Sequence, residues 1–183
     1  MQPLRGGDVS TSPRSGCAIN AAVEAFGDQW TPVVLRDMIF GGKRYFRELL
    51  TGSEEGIASN LLADRLARLV DSGLLTRAEA RRGQRARYTL TEPAIQLVPV
   101  LAALGSWGLR HRDTTPRLAA RARVLEEGGT ELWHRLMDEL RVAHLGSPDP
   151  HPERPSAMAA LREAVASAEA TPPTTGVRGG RRD

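Results

Sequence analysis

The segment from Gly56 to Leu75 constrains the fold of this chain more than any other stretch. Its large apolar residues recur at the three- and four-residue spacing of an amphipathic helix, so one face is expected to lie in a core. Those residues are Leu62, Leu66, Leu69 and Val70. Gly73 follows at the position where a residue of left-handed conformation ends a helix, and Leu74 begins an extended run. The segment therefore predicts a helix followed directly by a β-strand.

The opposite face of this helix carries small and polar side chains that suit entry into the major groove of DNA. At about 100° per residue, these side chains fall away from the leucines. They are Asn60, Ala63, Asp64, Ala67 and Arg68. Asn60 can bond bidentately to adenine, and Asp64 can accept a hydrogen bond from cytosine. Ser59 and Arg68 are predicted to contact phosphates instead. An ordinary amphipathic helix remains the alternative for the segment taken alone.

A cationic hairpin is predicted directly after this helix. Two short strands, at about residues 74–80 and 86–90, are joined by a tight reversal at Gly83. Arginines far outnumber acids in this stretch: Arg77, Arg81, Arg82, Arg85 and Arg87. A hairpin in this position is the wing of a winged helix, whose tip contacts phosphates or the minor groove. The wing residues predicted to contact DNA are Arg82, Gln84 and Arg85. The alternative is a solvated hairpin in an arginine-rich protein.

Composition and charge limit the classes of function. The chain has 183 residues, of which 40% are apolar, enough for one domain of ordinary size with extensions. The net charge of +3 is modest, so the local clustering of arginine says more about nucleic acid than the total does. The four histidines are scattered, and no phosphate loop or nucleophile motif is present. We therefore expect no catalytic residue, metal site or cofactor.

Two further absences bear on location. A single cysteine excludes an internal disulfide framework. No apolar run approaches the roughly 20 residues of a membrane span, and the N-terminus has no hydrophobic signal core. The expectation is a cytoplasmic protein of the bacterial nucleoid that does not bind membranes.

Helical patterns cover most of the remaining chain. The first helix is predicted from about Ala18 to Phe26, and the second begins with Thr31 as its cap. A brief helix from Phe46 precedes the recognition segment, whose cap is predicted to be Ser59. Arg65 is expected near the buried edge of that segment. Its role is predicted to be either pairing with an acid such as Glu48 or a contact with DNA, and the sequence does not decide between them. Lys43 and Arg44 are expected in a solvated link, with a DNA-backbone contact as the alternative.

After the hairpin, a long helix from Thr91 to His111 is predicted, bent by Pro99.

The expected fold class is mainly α with a small β wing, an α+β winged helix-turn-helix domain. The organisation follows from shifts in composition. It comprises a disordered arm at 1–15, the DNA-binding and dimerisation domain at 16–112 and a helical extension at 113–145. Residues 146–183 follow as a proline-rich linker, with a possible isolated helix at 157–170 and a disordered basic tail. In the extension, Gly128 and Gly129 separate two helices. The second has an apolar stripe that fits core packing, extra dimer surface or an effector pocket: Leu132, Trp133, Leu136, Met137 and Leu140.

The long helix at 92–110 has more large apolar residues than a single winged helix can cover. A two-fold partner is the predicted cover, with the C-terminal extension of the same chain as the alternative. The residues predicted to form the dimer interface are Ile19, Val98, Leu101, Leu104 and Trp107.

A set of short motifs runs through residues 17 to 112. They are Cys17, Gly27-Asp28-Gln29-Trp30-Thr31, Arg44-Tyr45-Phe46-Arg47-Glu48-Leu49, Gly56-Ile57, Leu62-Ala63-Asp64-Arg65-Leu66, Gly73-Leu74-Leu75, Tyr88-Thr89-Leu90-Thr91-Glu92 and Leu104-Gly105-Ser106-Trp107-Gly108. In order and spacing this set resembles the HxlR family of winged helix-turn-helix transcriptional regulators, relatives of the MarR regulators. The resemblance implies a homodimer that binds a pseudo-palindromic double-stranded DNA operator. The dimer is expected to act as a repressor. A small-molecule effector is possible for such a regulator.

Cys17 is a candidate redox residue. It stands at the start of the first helix, where the helix dipole favours a thiolate. The resemblance implies sensing of oxidants or electrophiles at this position. The alternative is a small buried residue that packs under the helix.

Overall fold

The structure is a computed structural model that describes residues 15–78 and 85–170. The chain divides into two compact units, residues 1–89 and 90–183. The elements of the first unit are α1 (Ala18–Phe26), α2 (Trp30–Ile39), α3 (Phe46–Thr51), α4 (Ser59–Asp71), β1 (Leu75–Arg77) and β2 (Tyr88–Leu90), whose last residue crosses the boundary. Those of the second are α5 (Glu92–Ile95), α6 (Val98–His111), α7 (Pro116–Leu145) and α8 (Ala157–Ala170). This mainly helical fold with a small β-sheet confirms the predicted class.

The core of the first unit is aliphatic and comes mainly from α2 and α4. The buried residues are Val34, Leu35, Met38 and Ile39 from α2, and Leu62, Leu66 and Leu69 from α4. Val70, the fourth residue of the stripe predicted for α4, is half-buried. Leu75 and Tyr88 of the two paired strands are buried as well. Burying a leucine or isoleucine side chain stabilises a fold by about 1.5–3 kcal/mol, so these stripes fix where the outer face of α4 points.

The starts of α2 and α4 differ from the predictions. Asp28, not Thr31, caps α2: its Oδ1 accepts hydrogen bonds from the backbone N–H groups of Trp30 at 2.8 Å and Thr31 at 3.0 Å. Burial raises the pKa of Asp28, but the hydrogen bonds from Thr31 and Trp30 outweigh it and hold the pKa below its ordinary 3.8. Ser59 does not cap α4, because Ala58 precedes the helix and no side chain bonds its first turn.

Glu48 and Arg65 do not pair with each other. The Glu48 Oε2 atom accepts hydrogen bonds from the backbone N–H groups of Arg44 at 2.9 Å and Tyr45 at 3.2 Å, which ties down the start of α3. The Nη1 atom of Arg65 lies 3.3 Å from Oδ2 of Asp28 instead. Arg65 therefore joins α4 to the start of α2 in the described chain.

The segment before α3 is not a solvated link. Lys43 Nζ lies 2.7 Å from Oδ2 of the buried Asp37. Arg44 Nη2 donates to Thr89 Oγ1 at 2.9 Å, and Tyr45 forms an antiparallel bridge with Arg87. These contacts fasten the segment to the hairpin. The strands themselves are shorter than predicted, and the predicted tip lies outside the described residues.

The predicted long helix of the second unit is two helices. The helix α5 ends at Ile95, and α6 begins at Val98 with Pro99 in its first turn. Proline has no N–H to donate and blocks the preceding turn, so it starts a helix more readily than it bends one. The α6 helix packs against α7. The compact unit therefore groups α6 with the extension, whereas the sequence-based division places the two on either side of residue 112.

The extension folds as a packed helical pair. As predicted, α7 is broken at Gly129, which has φ 56° and ψ −154°. The helix α8 begins at Ala157, as predicted, and continues to Ala170, the last described residue. It is not isolated, because Leu161 at its centre is fully buried and α8 packs along α7. The stripe residues Leu136, Met137 and Leu140 are buried in the same unit. These three serve as core, whereas Leu132 and Trp133 of the same stripe are half-buried.

Carboxylates fasten the linker before α8. The guanidinium of the buried Arg135 donates to both oxygens of Asp149, with Nη1 to Oδ1 at 2.6 Å and Nη2 to Oδ2 at 3.0 Å. Glu139 accepts from the backbone N–H groups of Ala157 at 2.7 Å and Met158 at 3.0 Å, and so caps α8. A segment rich in proline is thereby held against α7.

Candidate nucleic-acid interface

The outer face of α4 is open to solvent. The side chains predicted to face DNA are all exposed, as their helical positions indicate. They are Ser59, Asn60, Ala63, Asp64, Ala67 and Arg68. Asp64 and Arg68 form an ion pair on this face, with Oδ2 and Nε 3.1 Å apart. Such an exposed pair contributes only a few tenths of a kcal/mol, so either group can exchange its partner for a base or phosphate.

The hairpin adds cations beside this face. Arg77 and Arg85 are exposed, and neither forms an ion pair with a carboxylate within the described segments 15–78 and 85–170. Arg82 and Gln84, the other two predicted wing contacts, lie outside the described residues. Unpaired arginines are free to neutralise phosphates without first breaking an ion pair.

A cleft separates α4 from the hairpin. Its volume is about 640 Å³, and we call it the α4–wing cleft. It is lined by Tyr45, Phe46, Arg47, Leu66, Val70, Arg77, Arg85 and Tyr88, with Ala63, Ala67, Asp71 and Ala86 completing the wall. Arg47 is exposed and was missed among the candidate contacts, because it stands on α3 and the contacts of Arg44 and Tyr45 with the hairpin bring α3 to the wing. No local sequence signal gives that long-range contact.

The helix α1 leaves much of its apolar surface open, although Ala22 and Phe26 are half-buried. It has no buried residue, and its apolar side chains Ile19 and Val23 are 76% and 54% exposed. Cys17, directly before it, has a free and exposed thiol. The alternative that Cys17 is a buried packing residue is therefore wrong.

The apolar residues of α6 lie on two opposite faces. Val98 is fully buried within its own unit, so it cannot belong to a dimer surface and its assignment there is corrected. Leu101 is half-buried. Leu104 and Trp107 are 51% and 49% exposed and share a stripe with Val100. The extension thus covers one face of α6 and leaves the other open.

The described residues also bear on metal binding and on membrane insertion. No group of three or more histidine, cysteine, aspartate or glutamate side chains that could hold a metal ion occurs within residues 15–78 and 85–170. Among the helices of that same part of the chain, none is long and apolar enough to cross a membrane.

The fold and this surface define a winged helix-turn-helix protein. The chain belongs to the HxlR-like helix-turn-helix family, whose model matches residues 25–116, about half of the chain. The family assignment suggested by the motifs is confirmed.

Similar proteins are transcriptional regulators and not enzymes. The HTH-type regulator YdeP of Bacillus subtilis is 29% identical over 125 residues, which cover 67% of this chain and 94% of YdeP. The HTH-type regulator Rv3095 of Mycobacterium tuberculosis is 32% identical over 94 residues, 51% of this chain and 58% of Rv3095. Among solved structures, that of PA1607, a candidate transcription factor, is 31% identical with a TM-score of 0.50, and covers 55% of this chain and 69% of PA1607. The chain is therefore a transcriptional regulator with a helix-turn-helix domain.

Proposed function

We propose that the chain binds a specific double-stranded DNA operator, with α4 in the major groove and the hairpin arginines on the backbone or in the minor groove. The observation that carries the proposal is the exposed polar face of α4 beside Arg77 and Arg85, which have no carboxylate partner in the described chain. Helices of this class read base edges with residues of their first turns, while phosphate contacts set the register.

The residues on α4 divide by chemistry. Asn60 reads adenine and Asp64 accepts from cytosine, whereas Ser59 and Arg68 contact phosphates. Ala63 lets the helix approach the bases closely. Because Asp64 repels phosphates, it costs affinity on most sequences and favours only those with a cytosine in reach. In the hairpin, the proposed contacts are the predicted Arg82, Gln84 and Arg85, together with the exposed Arg77.

The test is binding to a labelled duplex from the DNA upstream of the protein's own gene, compared with a scrambled duplex. We expect wild-type protein to prefer the upstream duplex by about 10³-fold or more. Asn60→Ala should lower that preference by about 1–3 kcal/mol while leaving scrambled-duplex binding unchanged. Arg123→Gln, an exposed arginine on α7, serves as the control. Equal affinity of wild-type protein for both duplexes would reject sequence-specific binding.

The proposed functional unit is a homodimer. The open stripe of Val100, Leu104 and Trp107 on α6 and the exposed Ile19 on α1 support it, since large apolar patches on a protein surface usually bind a partner. Two copies would present their α4 helices to successive major grooves, about 34 Å apart, over a pseudo-palindrome.

Paired substitutions test the dimer. Leu104→Glu with Trp107→Glu should give a monomer in analytical ultracentrifugation that binds the operator weakly. Val142→Glu, at a 38% exposed apolar position on α7, should remain dimeric. A double variant that sediments as a dimer would exclude the α6 stripe as the interface.

Repression is the proposed outcome of operator binding, because a dimer spanning a promoter blocks polymerase. In vitro transcription from the upstream promoter should fall as protein is added. A rise in transcript would identify an activator instead. Such a regulator would act in the cytoplasm, where its DNA is.

Thiol sensing at Cys17 is a second candidate, supported by the exposed thiol at the start of α1. Diamide should weaken operator binding by wild-type protein and leave Cys17→Ser unaffected, through a disulfide between subunits or with a small thiol. If diamide affects both proteins equally, the input lies elsewhere.

A further inference from the structure

The α4–wing cleft has the size of a small-molecule site. Its volume of about 640 Å³ falls within the range of roughly 300–1,000 Å³ that ligand pockets occupy. Apolar side chains form most of its wall, including Leu66 and Val70 on α4. A strand of DNA backbone offers phosphates and sugars rather than an apolar body, so it does not match this wall.

The wall is unusually aromatic for this chain. Only 4% of the sequence is aromatic, yet the cleft is lined by both tyrosines and by one of the three phenylalanines. These are Tyr45, Phe46 and Tyr88. Aromatic side chains pack against flat rings in offset or edge-to-face arrangements, which favours a ligand with an aromatic body.

The charge of the wall points to an anion. Three arginines line the cleft, Arg47 from α3 and Arg77 and Arg85 from the hairpin, against the single acid Asp71. None of the three forms an ion pair in the described residues. A guanidinium binds a carboxylate through two parallel hydrogen bonds, and such charge-assisted bonds strengthen beside an apolar wall.

We propose that the α4–wing cleft binds a small aromatic carboxylate, with the ring against the aromatic wall and the carboxylate on the arginines at the rim. The site lies between the two elements proposed to hold DNA, and it shares Arg85 with them. Occupancy therefore weakens operator binding. That regulatory consequence rests on the proposed DNA-binding function, but the ligand site does not.

Calorimetry on the full chain without DNA tests the site. The probes are naphthoate and its uncharged analogue naphthamide, which have the same ring and nearly the same shape. We expect one naphthoate per chain, bound at least about tenfold more tightly than naphthamide, since one charge-assisted hydrogen bond is worth that much. Equal affinities, or no naphthoate binding at millimolar concentration, would overturn the proposal.

Variants locate the bound probe. Arg47→Gln should reduce naphthoate affinity about tenfold and leave naphthamide unchanged. Ala67→Phe, at an exposed position of the wall, fills the cleft and should abolish binding of both probes. Arg123→Gln, on α7 and not among the residues that line the cleft, should change neither. Unaltered naphthoate binding in Ala67→Phe would place the probe elsewhere and reject the site.

The consequence for DNA has its own readout. At a naphthoate concentration about ten times the wild-type Kd, binding of the upstream duplex should weaken by about tenfold in wild-type protein and only by about twofold in Arg47→Gln. Equal weakening in the two proteins would contradict the coupling. If the protein binds no DNA while calorimetry still shows the site, the proposed function fails and the ligand site stands.

Discussion

In the helical unit, Arg135 and Arg141 are held by carboxylates, whereas Arg77 and Arg85 of the hairpin have no carboxylate partner among the described residues. Arg135 is buried between Asp149 and Glu139. Arg77 and Arg85 are exposed and form no ion pair in the described chain. The same residue type therefore supports the fold in one region and remains available for a ligand in the other. The number of arginines in the sequence does not distinguish these two roles, but the carboxylate partners seen in the structure do.

Removing a held arginine should have the largest effect on stability. Arg135→Met keeps most of the side-chain volume but leaves Asp149 and Glu139 without their cation, which costs far more than losing an exposed pair. We expect the thermal unfolding midpoint, followed by circular dichroism, to fall by several degrees or more.

The matched control is Arg85→Met. Because Arg85 has no carboxylate partner among the described residues, its replacement should change the free energy of unfolding by less than about 0.5 kcal/mol and leave the unfolding midpoint nearly unchanged. Equal losses in the two variants would remove the distinction between held and free arginines.

The second-largest effect is expected from acid, which should weaken the ion pairs that hold Arg135 and Arg141. Hydrogen bonds from Arg135 keep the pKa of Asp149 below its ordinary 3.8, and those from Arg141 keep the pKa of Glu92 below 4.5. A carboxyl whose pKa is lowered by folding stabilises the fold above its unfolded pKa. This contribution is lost as the pH falls through the lowered value.

Urea unfolding at pH 7, 5 and 3 measures this loss. Wild-type stability should be nearly constant from pH 7 to 5 and fall by pH 3. Asp149→Asn should begin less stable at pH 7 and lose less between pH 5 and 3. An identical pH dependence in the variant would show that the Arg135–Asp149 pair carries none of the acid sensitivity.

The smallest effect is expected at the pair of Asp64 and Arg68, which is held but exposed. Asp64→Asn should change the free energy of unfolding by less than about 0.5 kcal/mol. It should raise affinity for the scrambled duplex, because it frees Arg68 and removes a charge that repels phosphate. The gain should be smaller on the upstream duplex, where the proposed contact of Asp64 with cytosine is lost. Anisotropy titrations with both duplexes check this, and an equal gain on the two, or no gain on the scrambled duplex, would contradict it.

Local patterns predicted the helices and the open face of α4. The start of α8 followed from the change in composition after the proline-rich linker, and the break in α7 followed from Gly128 and Gly129. These signals lie within a few residues of the element that they define. The wing was placed by its position after α4 and by its turn residue.

Long-range contacts could not be predicted. Nothing near Arg65 indicates Asp28 as its partner, and nothing near α8 indicates that Glu139 caps it. The burial of Val98 likewise depends on how α6 packs within its unit. Amphipathic patterns show that a face needs cover, but they do not show whether the cover comes from the same chain.

The salt dependence of DNA binding tests the role of the free arginines most directly. Each phosphate contact contributes about 0.9 to the slope of log affinity against log salt concentration. Replacing Arg77 and Arg85 together with glutamine should reduce the slope by about 1.8 and weaken upstream and scrambled duplexes alike. Arg123→Gln should bind as wild type does. An unchanged slope in the double variant would contradict the assignment of these arginines to DNA.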